Sequence, residues 1–311
     1  MRLATSLTVM ALLGAVTPAR AQRSTAAAPA PASTLDRIGM TGQLKLGYRT
    51  DARPLSYRDD SGKPTGFSVD LCQVIADRLK VERGEGHGTL NVEWVPVEAA
   101  DRFTAVQQGR IDILCGADTP TLERRAQVSF SIPIFPGGIG AVLRHDASKV
   151  LTDALNGQKP TSPPNWRANA SQLLHVKRFA VVKGTTAETW GASRLAAFQV
   201  ESKVTAVEGY DAGIKSILEN RSDVFFGDRA ILLDAVRANP SGAKLKVHDR
   251  LFTTELLALA LARSDEDFRL FVDRALSSLY AAGTIYATYG KWFGTPSESV
   301  RNFYGWVTLP N

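Results

Sequence analysis

From Leu35 onward, short runs of β-type apolar residues trade places with stretches whose apolar residues recur every three or four positions. QLKLGY, TLNVEWVPV and IDILCG read as strands, and SVDLCQVIADRLK and DRFTAVQQGR read as helices between them. A second series follows, with RFAVVKG and DVFFGD as strands and TTAETWGASRLAAF, DAGIKSILENR and RAILLDAVRAN as helices. LFTTELLALALAR then reads as a strand that returns the chain to the first series, and the segment from Asp265 to Gly294 reads as two helices broken at Gly283. Such alternation predicts parallel βαβ units. The expected architecture is α/β with two lobes, each a mainly parallel sheet flanked by helices. Lobe 1 takes 35–143 and 253–311, lobe 2 takes 144–252, and two crossovers join them.

In the first long helix Val69, Cys72, Ile75, Ala76 and Leu79 share one face, with Ser68 available as its N-cap. Alternation puts Ile111, Ile113 and Cys115 on one face of a following strand, so the sulfurs of Cys72 and Cys115 can meet between helix and sheet. The stretch from about 145 to 175 contains KPTSPPNW, too rich in Pro, Asn and Ser for a core element, and reads as an insertion or surface loop.

The N-terminus changes the picture. Arg2, the apolar run Leu3–Val16 and Ala19-Arg20-Ala21 have the form of an export signal, cleaved after Ala21. The run falls short of the roughly 18 to 20 apolar residues that span a bilayer. No cysteine stands at the cleavage site to carry a lipid, so a freely diffusing periplasmic protein is expected. An oxidising compartment and an even cysteine count favour a Cys72–Cys115 disulfide. Residues 22–34, Ala- and Pro-rich, read as a flexible leader. With 311 residues, 44% of them hydrophobic, a sizeable core is within reach, and the net charge of +6 is spread without a basic block, which argues against a nucleic-acid partner.

Four segments in order, GFSVDLCQVIADRL, QQGRIDILCGADTPTLERRAQVSFSIP, VVKGTTAETW and AAGTIYATYGKWFG, resemble the amino-acid-specific extracellular solute-binding proteins of ABC importers. LGYRTDARPLSY and ILCGADTPTLERR are most similar to the glutamate/aspartate and general amino-acid binders. The resemblance implies a type II periplasmic-binding-protein-like fold, a monomer that closes by a hinge over a polar or acidic L-amino acid, and an inner-membrane ABC permease as partner.

It also implies a ligand site. Arg124 matches the arginine that forks onto the α-carboxylate, geometry that a guanidinium provides and an ammonium does not; Arg125 reads as a solvated neighbour. Thr119 matches a hydroxyl on the same carboxylate, and Ala117 a position offering backbone groups. Thr185 and Thr186 follow Gly184 at a strand-to-helix turn, where free amides and the positive helix end favour an anion, although threonine there is also an ordinary cap. Asp228 matches the carboxylate that receives the ammonium; alone it would read as an N-cap. Arg49 and Arg102 match two arginines that reach the side-chain carboxylate in dicarboxylate binders. The sequence departs from those binders at Gly209, Ala99 and Ala117, where a histidine and two serines are missing, which leaves a larger polar amino acid open as ligand.

Enzymatic readings find little support. There is no nucleophile elbow, phosphate loop or metal-ligand spacing, no cofactor is implied, and the histidines His87, His145, His175 and His248 read as surface residues of polar loops. The specific enzymatic alternative is an exported dehydratase of the same fold acting on prephenate-like acids, for which Asp228 and Glu188 are the candidate acids.

Overall fold

The computed structural model describes residues 33–84, 88–157, 177–197 and 204–310. The signal and its cleavage site, most of the leader, His87, His175 and the 158–176 part of the expected loop lie outside them.

Among the described residues fourteen strands follow in order: β1 (Gln43–Arg49), β2 (Asp51–Ala52), β3 (Ser56–Arg58), β4 (Pro64–Thr65), β5 (Asn91–Val97), β6 (Ile113–Asp118), β7 (Ser129–Phe130), β8 (Phe135–Gly137), β9 (Ile139–Arg144), β10 (Phe179–Val182), β11 (Val204–Val207), β12 (Val224–Asp228), β13 (Leu245–Val247) and β14 (Glu255–Leu261). One sheet runs β5-β1-β6-β14-β7, with β8 also on β14; the other runs β11-β10-β12-β9-β13. β5, β1 and β6 are parallel, as are β11, β10 and β12, while β14 and β9 run against their neighbours. Those two antiparallel strands follow the two crossovers, one between β8 and β9 and one between β13 and β14. The α/β fold of two lobes expected from the pattern is the one observed.

Strand pairing puts the first crossing at Gly138, not at the 143/144 boundary that the pattern predicts, because β9 pairs with β12 and β13 of the second sheet. Phe179 and Val181 face one apolar cluster and Ala180 and Val182 another, so β10 is buried on both sides.

The helix Phe67–Arg83 buries Val69, Cys72, Ile75, Ala76 and Leu79, and Cys72 is bonded to Cys115 across 43 residues. Its N-cap is Gly66, not Ser68: the helix begins two residues earlier than a Ser68 cap implies, and Ser68 is fully buried with its hydroxyl unpartnered. Gly66 has φ +134 and a Cβ there would lie 2.4 Å from the Leu55 carbonyl oxygen, so only glycine fits that approach. Ile111 does not share the Cys115 face. It precedes β6, in a turn whose amide bonds back to Ala105, and its side chain lies over Gly47.

Three further departures have local causes. The leader ends sooner than expected, because Ser33 caps a helix Thr34–Thr41 with Asp36 completing a capping box. Lys149–Leu155 forms a helix capped by Ser148 inside the stretch read as irregular. The two helices expected between Asp265 and Gly294 are there, Glu266–Ala281 and Ile285–Phe293 on either side of Gly283, and an unexpected third, Glu298–Val307, capped by Ser297, follows them.

Candidate ligand site between the lobes

Arg49, Arg102, Ala117, Thr119, Arg124, Thr185, Thr186 and Asp228 all line one cavity, with Gly138, Tyr210, Glu255 and Leu257 among their neighbours. Its volume is about 20 Å³, the room of roughly one water molecule, so a larger solute enters only as the lobes part. A larger apolar cavity of about 230 Å³ lies in the second lobe beside Trp190 and Phe252, and none of the eight residues lines it.

The first lobe supplies the cations. Arg49 ends β1 and binds Asp51 through Nε and Nη2 at 2.9 and 2.6 Å. Burial works against its charge, yet Asp51 and Asp118 together hold it more firmly protonated than usual. Arg102 opens the helix Arg102–Gln107 and hydrogen-bonds Asp118 and the Ala99 carbonyl. Arg124 sits on the one-turn helix Leu122–Arg125, whose cap Thr121 accepts from the Arg124 amide at 3.1 Å. Its guanidinium donates to the carbonyls of Thr119 at 2.9 Å and Gly184 at 3.1 Å. Among the described residues no carboxylate lies within ion-pair distance of it. Burial and the neighbouring Arg102 cation lower its pKa to about 10, which leaves it charged at neutral pH and short of an anionic partner. Arg125 is exposed.

In the second lobe, strand ends and helix starts do the positioning. The turn at Gly184 (φ +72) leads from β10 into the helix Thr186–Ala197. The Thr185 hydroxyl donates back to the Val182 carbonyl at 2.7 Å, and Glu188 accepts from the Gly184 amide at 2.7 Å, so part of this helix start is already satisfied from within. Asp228 ends β12 and caps the helix Arg229–Ala238, accepting from Ala230 N at 2.9 Å. The cap reading and the cavity-lining position therefore both hold. Burial raises its pKa to about 6, against the pull of the Ile231 and Ala230 amides and with a push from Glu255.

Glu255 was missed from the sequence. Its Oε2 accepts from the hydroxyls of Thr119 at 2.6 Å and Thr186 at 2.8 Å, and its Oε1 from Thr253 at 2.8 Å. One carboxylate thus joins the lobes across the cavity. The only signal in the sequence is the TTEL run, an acid between threonines and an apolar strand. Asp51 and Asp118 were also missed, although Asp51 stands two residues from its arginine. Gly209 fits the same arrangement, since a Cβ there would come within 3.1 Å of Asp51 Oδ2. His145 is exposed as expected. His248 is not on the surface: it is fully buried, its Nδ1 accepts from the Arg250 amide at 3.1 Å, and burial lowers its pKa.

A cavity lined from two lobes joined by two crossovers, with the Arg124 cation on the first and the Asp228 carboxylate on the second, has the opposite charges that a small zwitterion calls for. The sequence model of bacterial extracellular solute-binding proteins, family 3, matches residues 44–295. The chain belongs to that family. This family 3 protein is 27% identical to the L-glutamate/L-aspartate-binding protein of Pseudomonas aeruginosa over 264 residues, which cover 85% of this chain and 80% of the relative. Among solved structures it is similar to an ancestral arginine-binding protein bound to glutamine, at 27% identity and a TM-score of 0.65, covering 81% of this chain and 98% of the other. It is also similar to an ancestral amino acid-binding protein described as a precursor of cyclohexadienyl dehydratase, at 26% identity and a TM-score of 0.67, covering 84% and 100%. The fold is that of the type II periplasmic binding proteins, and the named relatives are binding proteins for amino acids.

Proposed function

We propose that this family 3 protein is the periplasmic substrate-binding component of an amino-acid ABC importer, taking up a polar or acidic L-amino acid by hinge closure and delivering it to the permease. The observation that carries the reading is the meeting of residues from both lobes around Arg124, a guanidinium that packs over the Phe103 ring and whose side-chain hydrogen bonds go to carbonyls, with no carboxylate among the described residues in ion-pair distance. The α-carboxylate goes to Arg124 and the Thr119 hydroxyl, the ammonium to Asp228, and Thr185 and Thr186 close from the other side. A ligand that bridges both lobes stabilises the closed form by its differential affinity for it. The relatives, named for glutamate/aspartate and for arginine, support an amino acid as ligand.

The remaining expectations follow. The N-terminal segment directs export, the protein works as a monomer in the periplasm with cleavage after Ala21, and neither cofactor nor catalysis is part of its task. Among the described residues no helix is long and apolar enough to cross a membrane. The likeness to a dehydratase precursor keeps the enzymatic alternative specific. Against it, Glu188 is spent on the Gly184 amide and does not line the cavity, and Asp228 is tied to two helix amides.

Thermal unfolding of protein stripped of ligand, against the twenty amino acids and several cyclic acids, tests the reading. Binding to the native state raises the melting temperature by mass action. A rise with amino acids is the expected result; a rise only with a prephenate-like acid would move the assignment to the enzyme.

A further inference from the structure

Three guanidiniums line the cavity, and two of them are already answered by carboxylates of the chain itself. Arg49 is held by Asp51 and Arg102 by Asp118, and both guanidinium side chains are 3% exposed. Arg102 has no freedom to turn toward a ligand. Asp118 is fully buried and its Oδ2 has no hydrogen-bond partner, so withdrawing Arg102 would strand a charge in the interior. Arg102 is tied further to the carbonyls of Ala99 and Gly184.

Asp228 of the second lobe and Glu255 at the start of β14 both line the cavity, and among the described residues neither has a cation within ion-pair distance. Three guanidiniums face four carboxylates, which leaves one negative charge in excess before a ligand arrives. The backbone of an α-amino acid is neutral and adds nothing to this balance, its carboxylate opposite Arg124 and its ammonium opposite Asp228. A further carboxylate on the side chain would enter a net negative site with no unclaimed cation to receive it. A positive side chain would cancel the excess, and an uncharged polar one would meet in Arg49 a donor whose charge Asp51 already balances.

We infer that the site selects α-amino acids with a neutral polar or cationic side chain and rejects dicarboxylic ones, with Asp51 and Asp118 as the residues that set this choice. They do so by acting on Arg49 and Arg102, so they are positioning residues, not ligand contacts. The inference rests on the solute-binding reading and revises its ligand class, removing the acidic side chains and adding the cationic ones, for Arg49 and Arg102 alone would have pointed to glutamate or aspartate.

The experiment is calorimetric titration at pH 7.5 of the protein, stripped of ligand by unfolding and refolding without reductant, with L-glutamine, L-arginine, L-glutamate and L-aspartate, then with the other amino acids. Glutamine or arginine is expected to bind at least tenfold more tightly than either dicarboxylate. Tighter binding of glutamate or aspartate than of any neutral or cationic amino acid would overturn the inference and leave the solute-binding reading intact. Binding of no amino acid at all would overturn both. The double variant Asp51→Asn, Asp118→Asn keeps the shapes and removes two negative charges, and is expected to raise the glutamate-to-glutamine affinity ratio at least tenfold. Asp51, 27% exposed, allows the single variant Asp51→Asn should the double one not fold. An unchanged ratio in that variant would overturn the inference.

Discussion

Arg49, Arg102 and Arg124 come from three separate elements of the first lobe, whereas Thr185, Thr186 and Asp228 of the second all sit where a strand ends and a helix begins. In the first lobe the placement of each guanidinium depends on another side chain or a carbonyl, and two depend on carboxylates. In the second lobe it depends on backbone geometry and helix capping. The two modes suit different tasks. Capping geometry recurs with little regard to surrounding sequence and suits the part of the ligand common to all amino acids. Charge pairing changes sign with a single substitution and suits discrimination among side chains.

The lobes also differ in how they are held. The first is cross-linked by Cys72–Cys115, while the second relies on apolar packing around Phe179, Val181, Phe226 and Trp190. Replacing both cysteines by alanine is expected to lower stability by roughly 4 kcal/mol, from the loop-closure entropy of about 43 residues. A urea titration measures the loss, and hydrogen exchange is expected to place the new openings around β6 and the Phe67–Arg83 helix. Loss of protection in the second lobe first would break the comparison.

A smaller effect is expected for Arg124→Ala. Truncating a buried charged partner costs about 3 kcal/mol or more in binding, so affinity for every amino acid should fall by two orders of magnitude or beyond. Titration of several ligands checks it. A loss confined to one side-chain class would mean that Arg124 reads side chains after all.

Protonation of Asp228 comes next in size. Its folded pKa lies near 6, above the ordinary value of 3.8, so between these values the folded state holds a proton that the unfolded state has released. This group therefore adds stability to the free protein as pH falls through that window, and the addition is lost as pH rises past 6. Ligand binding needs the ionised form, so affinity should fall about tenfold per unit below pH 6, near 1.4 kcal/mol. Asp228→Asn keeps a good helix cap and is expected to flatten that profile. A wild-type slope surviving in the variant would assign the titration elsewhere.

Much of this was legible in the sequence where one interaction dominates. Period and punctuation located the strands of both sheets that carry the site, because β10 is apolar over its length and β12 and β14 each carry a single acid at one end. Eight of the residues that line the cavity are legible through motifs, not through periodicity. What escaped depends on tertiary pairing. β9 reads as a continuation of the first lobe until its partners β12 and β13 are known. His248 looks like a loop histidine, yet it packs beside Phe252 under the second crossover. Asp51, Asp118 and Glu255 are unremarkable acids until the residues they hold are in place.

The smallest expected effect concerns Glu255, which belongs to neither side alone. Its carboxylate accepts from Thr119 in the first lobe, Thr186 in the second and Thr253 in the connection. Glu255→Gln retains shape and one acceptor oxygen but gives up the charge that strengthens these bonds, a loss of about 1 kcal/mol in the closed arrangement. The same charge raises the Asp228 pKa. Its removal should move the acid limb of ligand affinity to lower pH while leaving the neutral-pH ranking of ligands by α-carboxylate recognition unchanged. An acid limb that stays at the wild-type pH would show that the two carboxylates do not sense one another across the cavity, and the lobes would then be coupled through the ligand and not through Glu255.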